Sequence, residues 1–308
     1  MSRTVVRTIA ALLPAAALAL GPVSAVQARE KPPETIPLVT GSLPEGISAG
    51  PGTTFFAGSR QNGAVYVGDV TASATPTVLV AGRSDAVAVG LLYDPTTERI
   101  WVAGGRTGEI SAYDAASGVL LYRAQVGGSP FLNDVAITPD AIYVTDSASP
   151  TLFVVPLGPA SSLPAPGTVR ALPVTGAKVQ PATGNGLNGI RVLPTGELIV
   201  VSSGDLFTVD ASTGVATQVQ ERGQQISGGD GLVLDGRTLY VVNGLGGNEV
   251  VRLRLSKNFT SVTTQKVITD SDFDRPTTGA LIGRGLYVVN GQFSKPATEP
   301  VEVVRVKP

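Results

Sequence analysis

Apolar residues in this chain fall into short runs, and the runs come in pairs. A glycine or polar residue opens a short apolar stretch, a turn follows, and a second stretch rich in Tyr and Val comes after it. The first members begin at Glu45-Gly46-Ile47-Ser48, Val89-Gly90-Leu91-Leu92, Asn133-Asp134-Val135-Ala136, Asn188-Gly189-Ile190-Arg191, Asp230-Gly231-Leu232-Val233 and Thr278-Gly279-Ala280-Leu281. Their partners read Thr54-Phe55-Phe56-Ala57, Ile100-Trp101-Val102-Ala103, Ile142-Tyr143-Val144-Thr145, Leu198-Ile199-Val200-Val201, Leu239-Tyr240-Val241-Val242 and Leu286-Tyr287-Val288-Val289. Short runs of β-branched and aromatic residues between turn residues predict strands, and a recurring pair of them predicts a repeat architecture.

Counted from Gly46, the pivots fall at Gly90, Asp134, Gly189, Gly231 and Gly279, in steps of 44, 44, 55, 42 and 48 residues. That is the period of a four-stranded propeller blade, so the sequence predicts an all-β fold, a six-bladed β-propeller. A β-solenoid repeats at about 20 to 30 residues, which the spacing does not match, and a long β-sandwich is the other alternative. Tyr113-Asp114-Ala115-Ala116-Ser117-Gly118 and Val209-Asp210-Ala211-Ser212-Thr213-Gly214 are the same outer turn twice. The one long step holds Pro156, Pro159, Pro164, Pro166, Pro173 and Pro181, which predicts an enlarged, stiff loop in the third blade. The last repeat supplies two strands and a third near Val301 to Val306. Residues near Ile36 to Thr40 are then the expected fourth strand, closing the ring by pairing with the last blade.

Composition narrows the chemistry. The 37 glycines and 23 prolines punctuate the chain too often for long helices. With 23 basic and 24 acidic residues there is no basic field for a phosphate backbone, so nucleic acid is excluded as an expected partner. Cysteine and histidine are both absent, which removes disulfides, thiol nucleophiles, Ser-His-Asp triads and the usual zinc sites. Any metal here must rest on oxygen ligands. Arg3 and Arg7 before the apolar run from Ile9 to Leu20, with Val26-Gln27-Ala28 behind it, predict an export signal over residues 1–28. Residues 29–308 would then form the secreted propeller, in which no later apolar run is long enough for a spanning helix.

In a propeller the inner strand of each blade lines the central channel, so the residue opening that strand faces the channel mouth. In order these residues are Glu45, Val89, Asn133, Asn188, Asp230 and Thr278. Two carboxylates converging on one point repel each other unless a cation neutralises them, and calcium, magnesium or manganese accept carboxylate and amide oxygens. Asn and Asp also open strands for backbone reasons alone, so each position taken singly reads as a turn residue before it reads as a ligand. The convergence of six equivalent positions is what points to a divalent cation, calcium first.

At these residues the sequence resembles the senescence-marker-protein (regucalcin) and gluconolactonase family of six-bladed propellers. Glu45 in Pro44-Glu45-Gly46 is similar to the family's first-blade ligand, Asn188 in Gly186-Leu187-Asn188-Gly189 to its fourth-blade ligand and Asp230 in Gly229-Asp230-Gly231-Leu232 to its fifth-blade ligand. Asn133 resembles the third-blade Asn beside metal and substrate. Two residues before it, where lactonases of the family carry Arg, this chain has Phe131. The resemblance implies a metal-dependent hydrolase of a lactone or similar small ester, with Asp230 taking a proton from water. Phe131 points to apolar contact with a neutral substrate. Arg60 and Arg106, on loops after second strands, either replace the missing Arg or are solvated loop cations. The alternative function is a non-catalytic secreted propeller binding a small ligand, peptide or cell-wall component.

Overall fold

Strand pairing in the computed structural model follows the repeat. The structure describes residues 1, 31–165, 167–179, 186–223 and 226–308; apart from Met1, the expected export signal lies outside the described residues. Six sheets, each built on an antiparallel meander of strands consecutive in the chain, make a six-bladed propeller. From inner to outer strand, blade one runs from Pro44–Ala49 to Thr77–Val80, blade two from Leu91–Asp94 to Leu120–Gln125 and blade three from Leu132–Ile137 to Arg170–Pro173. Blade four runs from Leu187–Val192 to Val215–Gln218 and blade five from Leu232–Asp235 to Ser261–Ile268. Blade six takes Pro276–Ile282, Gly285–Asn290 and Glu302–Val306 from the end of the chain.

Its fourth strand is Thr35–Pro37, which pairs antiparallel with Glu302–Val306, Thr35 opposite Val304 and Pro37 opposite Glu302. The paired strand is shorter than the expected 36–40, and one further bond, Leu38 N–H to the Val301 carbonyl, extends it. The N-terminal segment therefore covers the edge that blade six would otherwise expose. The long third step differs from expectation in one respect. Its proline-rich stretch carries the outer strand Arg170–Pro173 rather than loop alone, because a blade needs that strand.

Packing has the same periodicity. Six apolar clusters lie between successive blades. The cluster at the seam joins Ile36 and Leu38 of the N-terminal segment to Phe55 and Ala57 of blade one and Tyr287 and Val289 of blade six. The alternation of each strand serves two interfaces at once: Val200 of blade four faces blade three while Val201 faces blade five.

Two features tie blades together at opposite radii. At the rim, Thr175–Gly176 leaves blade three and adds a parallel fifth strand to blade four, and Gln220–Arg222 does the same from blade four to blade five. Near the axis, backbones of neighbouring inner strands approach so closely that a Cβ at Gly90 would collide with the Asn133 carbonyl, and one at Gly189 with that of Asp230. This contact between backbones, more than any turn conformation, explains the glycine at the pivot.

Candidate functional site

Several of the pivot side chains are aimed by a distortion that four of the six blades share. In blades one, three, four and six the inner strand gains one residue against its partner, between Pro44 and Ile47, Leu132 and Val135, Leu187 and Ile190, and Pro276 and Thr278. A bulge of this kind re-aims the side chains it contains, and here it contains Glu45, Asn133, Asp134, Asn188 and Thr277. All six expected pivots are buried: Glu45, Val89, Asn133, Asn188, Asp230 and Thr278. Hydrogen bonds from blade to blade hold their backbones. Gly189 N–H donates to the Asp230 carbonyl (3.0 Å), Thr145 Oγ1 to the Asn188 carbonyl (2.8 Å) and Thr277 Oγ1 to the Glu45 carbonyl (2.6 Å).

The ring is electrostatically loaded. Burial pushes the Glu45 carboxyl well above the usual range, and the charges of Asp230 and Asp134 add to this. Asp230 is pushed up to about 7, by burial first and by Asp134 second, against the opposing hydrogen bond from Asn188 and the charge of Arg60. Asp230 Oδ1 and Asn188 Oδ1 are both shut away from solvent without a hydrogen-bond partner. Unsatisfied buried acceptors are rare and costly in folded proteins, so two at one place call for an explanation.

Asp134, which was not among the expected ligands, is a third buried carboxylate there. It stands where five other repeats have glycine, a departure visible in the pivot series Gly46, Gly90, Asp134, Gly189, Gly231 and Gly279. Its side chain crosses to blade four, where Oδ2 accepts from Arg191 Nη1 (2.7 Å) and Ile190 N–H (3.2 Å), while Oδ1 accepts from Val135 N–H (2.8 Å). Among the described residues, no three acidic side chains lie close enough together to hold an ion. Asp134 is thus spoken for, and a cation in this ring would rest on two carboxylates and amide oxygen.

The remaining expected residues divide. Arg60 is drawn inward rather than solvated: its guanidinium lies 4.4 Å over the Phe293 ring, its Nε is buried without a partner, and its charge acts on both Glu45 and Asp230. Arg106 is exposed and sits 5.3 Å over the half-buried Phe131. Phe131 is fixed by its backbone, since its N–H donates to Asp146 Oδ1 (2.7 Å). Asn133 Nδ2 donates to Ser147 Oγ (3.0 Å), which in turn donates to the Leu187 carbonyl of the next blade (2.7 Å). Phe293, which seats Arg60, is not among the residues the repeat picks out, and its neighbour Gln292 is buried with Oε1 unpartnered. They lie in an irregular loop with no repeat counterpart.

No family model and no curated protein matches the chain. Solved structures do. The major allergen Mala s 1 of Malassezia sympodialis is 16% identical with a TM-score of 0.68, covering 89% of this chain and 96% of that one. A streptogramin B lyase is 10% identical with a TM-score of 0.57, covering 89% and 97%. The virginiamycin B lyase of Staphylococcus aureus is 10% identical with a TM-score of 0.55, covering 86% and 96%. Likenesses at such identity carry the propeller fold alone, and on that fold this chain buries acidic, partly unsatisfied side chains where inner strands begin.

Proposed function

We propose that the exported chain is a cation-dependent hydrolase of a small lactone or ester, with a divalent ion, calcium first, held by Glu45, Asn188 and Asp230. The observation that carries this reading is the pair of buried, unpartnered oxygens, Asn188 Oδ1 and Asp230 Oδ1, beside a second buried carboxyl at Glu45. Two carboxylates and one amide oxygen match the charge and the ligand chemistry of calcium, magnesium or manganese. When bound, such an ion supplies a Lewis acid for an ester carbonyl.

The side chains then have distinct duties. Asp230, a buried carboxylate with one oxygen unpartnered, is the group that would take a proton from the attacking water. Asn133, anchored through Ser147, presents a fixed amide to the substrate. Phe131 offers an apolar wall whose backbone Asp146 holds in place. A panel of neutral and acidic lactones, assayed with and without chelator and with Asp230→Asn as control, tests the reading. Chelator-sensitive turnover lost in Asp230→Asn is expected; no such turnover on any member would overturn it.

One observation favours a second reading, a non-catalytic binding propeller. Arg60 already brings a positive charge into reach of Glu45 and Asp230, so a ligand could be held there without a metal. In that case calorimetry with calcium, magnesium and manganese would show no heat.

A further inference from the structure

Arg60 is held in an unusual way for a cation beside two carboxyl groups. Its backbone N–H donates to the Leu43 carbonyl (3.2 Å), which fixes it next to the segment carrying Glu45. Its guanidinium is seated by stacking on Phe293, and among the described residues no carboxylate lies within ion-pairing distance of it. The seat is itself part of the ring, because a Cβ at Gly291 would strike both the tip of the Phe293 ring and Thr277, the residue bonded to the Glu45 carbonyl. The guanidinium is therefore oriented and electrostatically engaged, yet its donors are unspent.

A divalent ion among Glu45, Asn188 and Asp230 would face this fixed positive charge as repulsion. A carboxylate placed between the two would turn that repulsion into attraction on both sides, and the planar fork of arginine matches carboxylate geometry. We propose that the mouth takes its divalent ion together with a small hydroxycarboxylate whose carboxylate pairs with Arg60. This rests on the cation reading above. It also names a ligand that the proposed reaction makes: the oxygen of water bonds to the lactone carbonyl carbon, the ring C–O bond breaks, the leaving oxygen takes a proton, and the new acid ionises to carboxylate. Gln292 Oε1, buried and unpartnered one residue before Phe293, is an acceptor suited to the ligand's hydroxyl.

Calorimetric titration with calcium chloride, with and without excess 4-hydroxybutyrate, tests this on the full propeller and on Arg60→Gln and Arg60→Lys. Thermal melting shows that each variant is folded. The parent should bind calcium at least tenfold more tightly when 4-hydroxybutyrate is present. Arg60→Gln should bind calcium alone more tightly than the parent and lose the response to 4-hydroxybutyrate. Arg60→Lys, with the charge but not the fork, should keep the weak binding of calcium alone and recover only part of the response. Calcium binding that 4-hydroxybutyrate leaves unchanged in the parent would overturn the role of Arg60 and leave the cation reading standing. Absence of calcium binding in all three proteins, with or without the hydroxycarboxylate, would overturn both.

Discussion

Two sides of the ring, one between blades three and four and the other from blade five to blade one, hold buried carboxylates in opposite circumstances. Asp134 has a partly buried arginine at 2.7 Å and two backbone N–H groups, so its oxygens are occupied. Asp230 has an oxygen with no partner and a carboxyl pushed up to about 7. Both lie in inner-strand starts of the same repeat, so the backbone does not cause the difference. What differs is whether the next blade supplies a cation in contact. A carboxylate that the fold satisfies ties blades together, and one that it leaves unsatisfied is available to a ligand, at a cost in stability.

The largest effect should come from the satisfied side. Asp134→Ala leaves the partly buried Arg191 without its carboxylate and should destabilise the protein by about 3 kcal/mol in denaturant unfolding. A loss under about 1 kcal/mol would mean that solvent already reaches the pair. On the other side the sign should reverse. Asp230→Asn removes a charge that the fold disfavours, so the chelator-treated protein should gain roughly 1 kcal/mol at pH 8, while calcium binding disappears. If Asp230→Asn destabilised as Asp134→Ala does, the contrast between the two sides would be wrong.

A pH profile sharpens the same contrast. The folded-state pKa of Asp230 lies above its ordinary value of 3.8, so folding takes up a proton between them. Stability in chelator should therefore rise as pH falls from about 8 towards 5, and be lost again as pH climbs through about 7. Glu45 shifts in the same direction and adds to the slope. Asp230→Asn should flatten the profile, and an unchanged slope in that variant would assign the titration elsewhere. The smallest effect concerns the seam of the ring. Thr277→Val loses the hydroxyl bond to the Glu45 carbonyl and should cost about 1 kcal/mol in thermal unfolding.

The blade count was legible because each blade repeats the same inner and second strands, and six imperfect copies reinforce one another. The rim strands Thr175–Gly176 and Gln220–Arg222 were not, since two or three residues carry no alternation to read. Candidate ligands were legible as positions in a repeat. Their electrostatic roles were not, because these depend on partners far apart in sequence. Asp134 looked like a pivot until Arg191 met it from the next blade. Arg60 had the sequence surroundings of a loop cation, and the Phe293 ring under its guanidinium is brought across the seam from the other end of the chain.

That seam also governs the order of assembly. Thr35–Pro37 finds its pairing partner only in Glu302–Val306, almost the whole described chain away. Closing so long a loop adds modestly to the entropy cost, about 0.6 kcal/mol for each doubling of length, but among the described residues this strand pairing is the most non-local and should form late. Five blades can complete themselves by local meanders while the sixth waits, and the same join should be the first to open. Amide hydrogen exchange at Leu38 and Arg305, whose N–H groups bond across this seam, should therefore outpace exchange in the second strands of blades three and four.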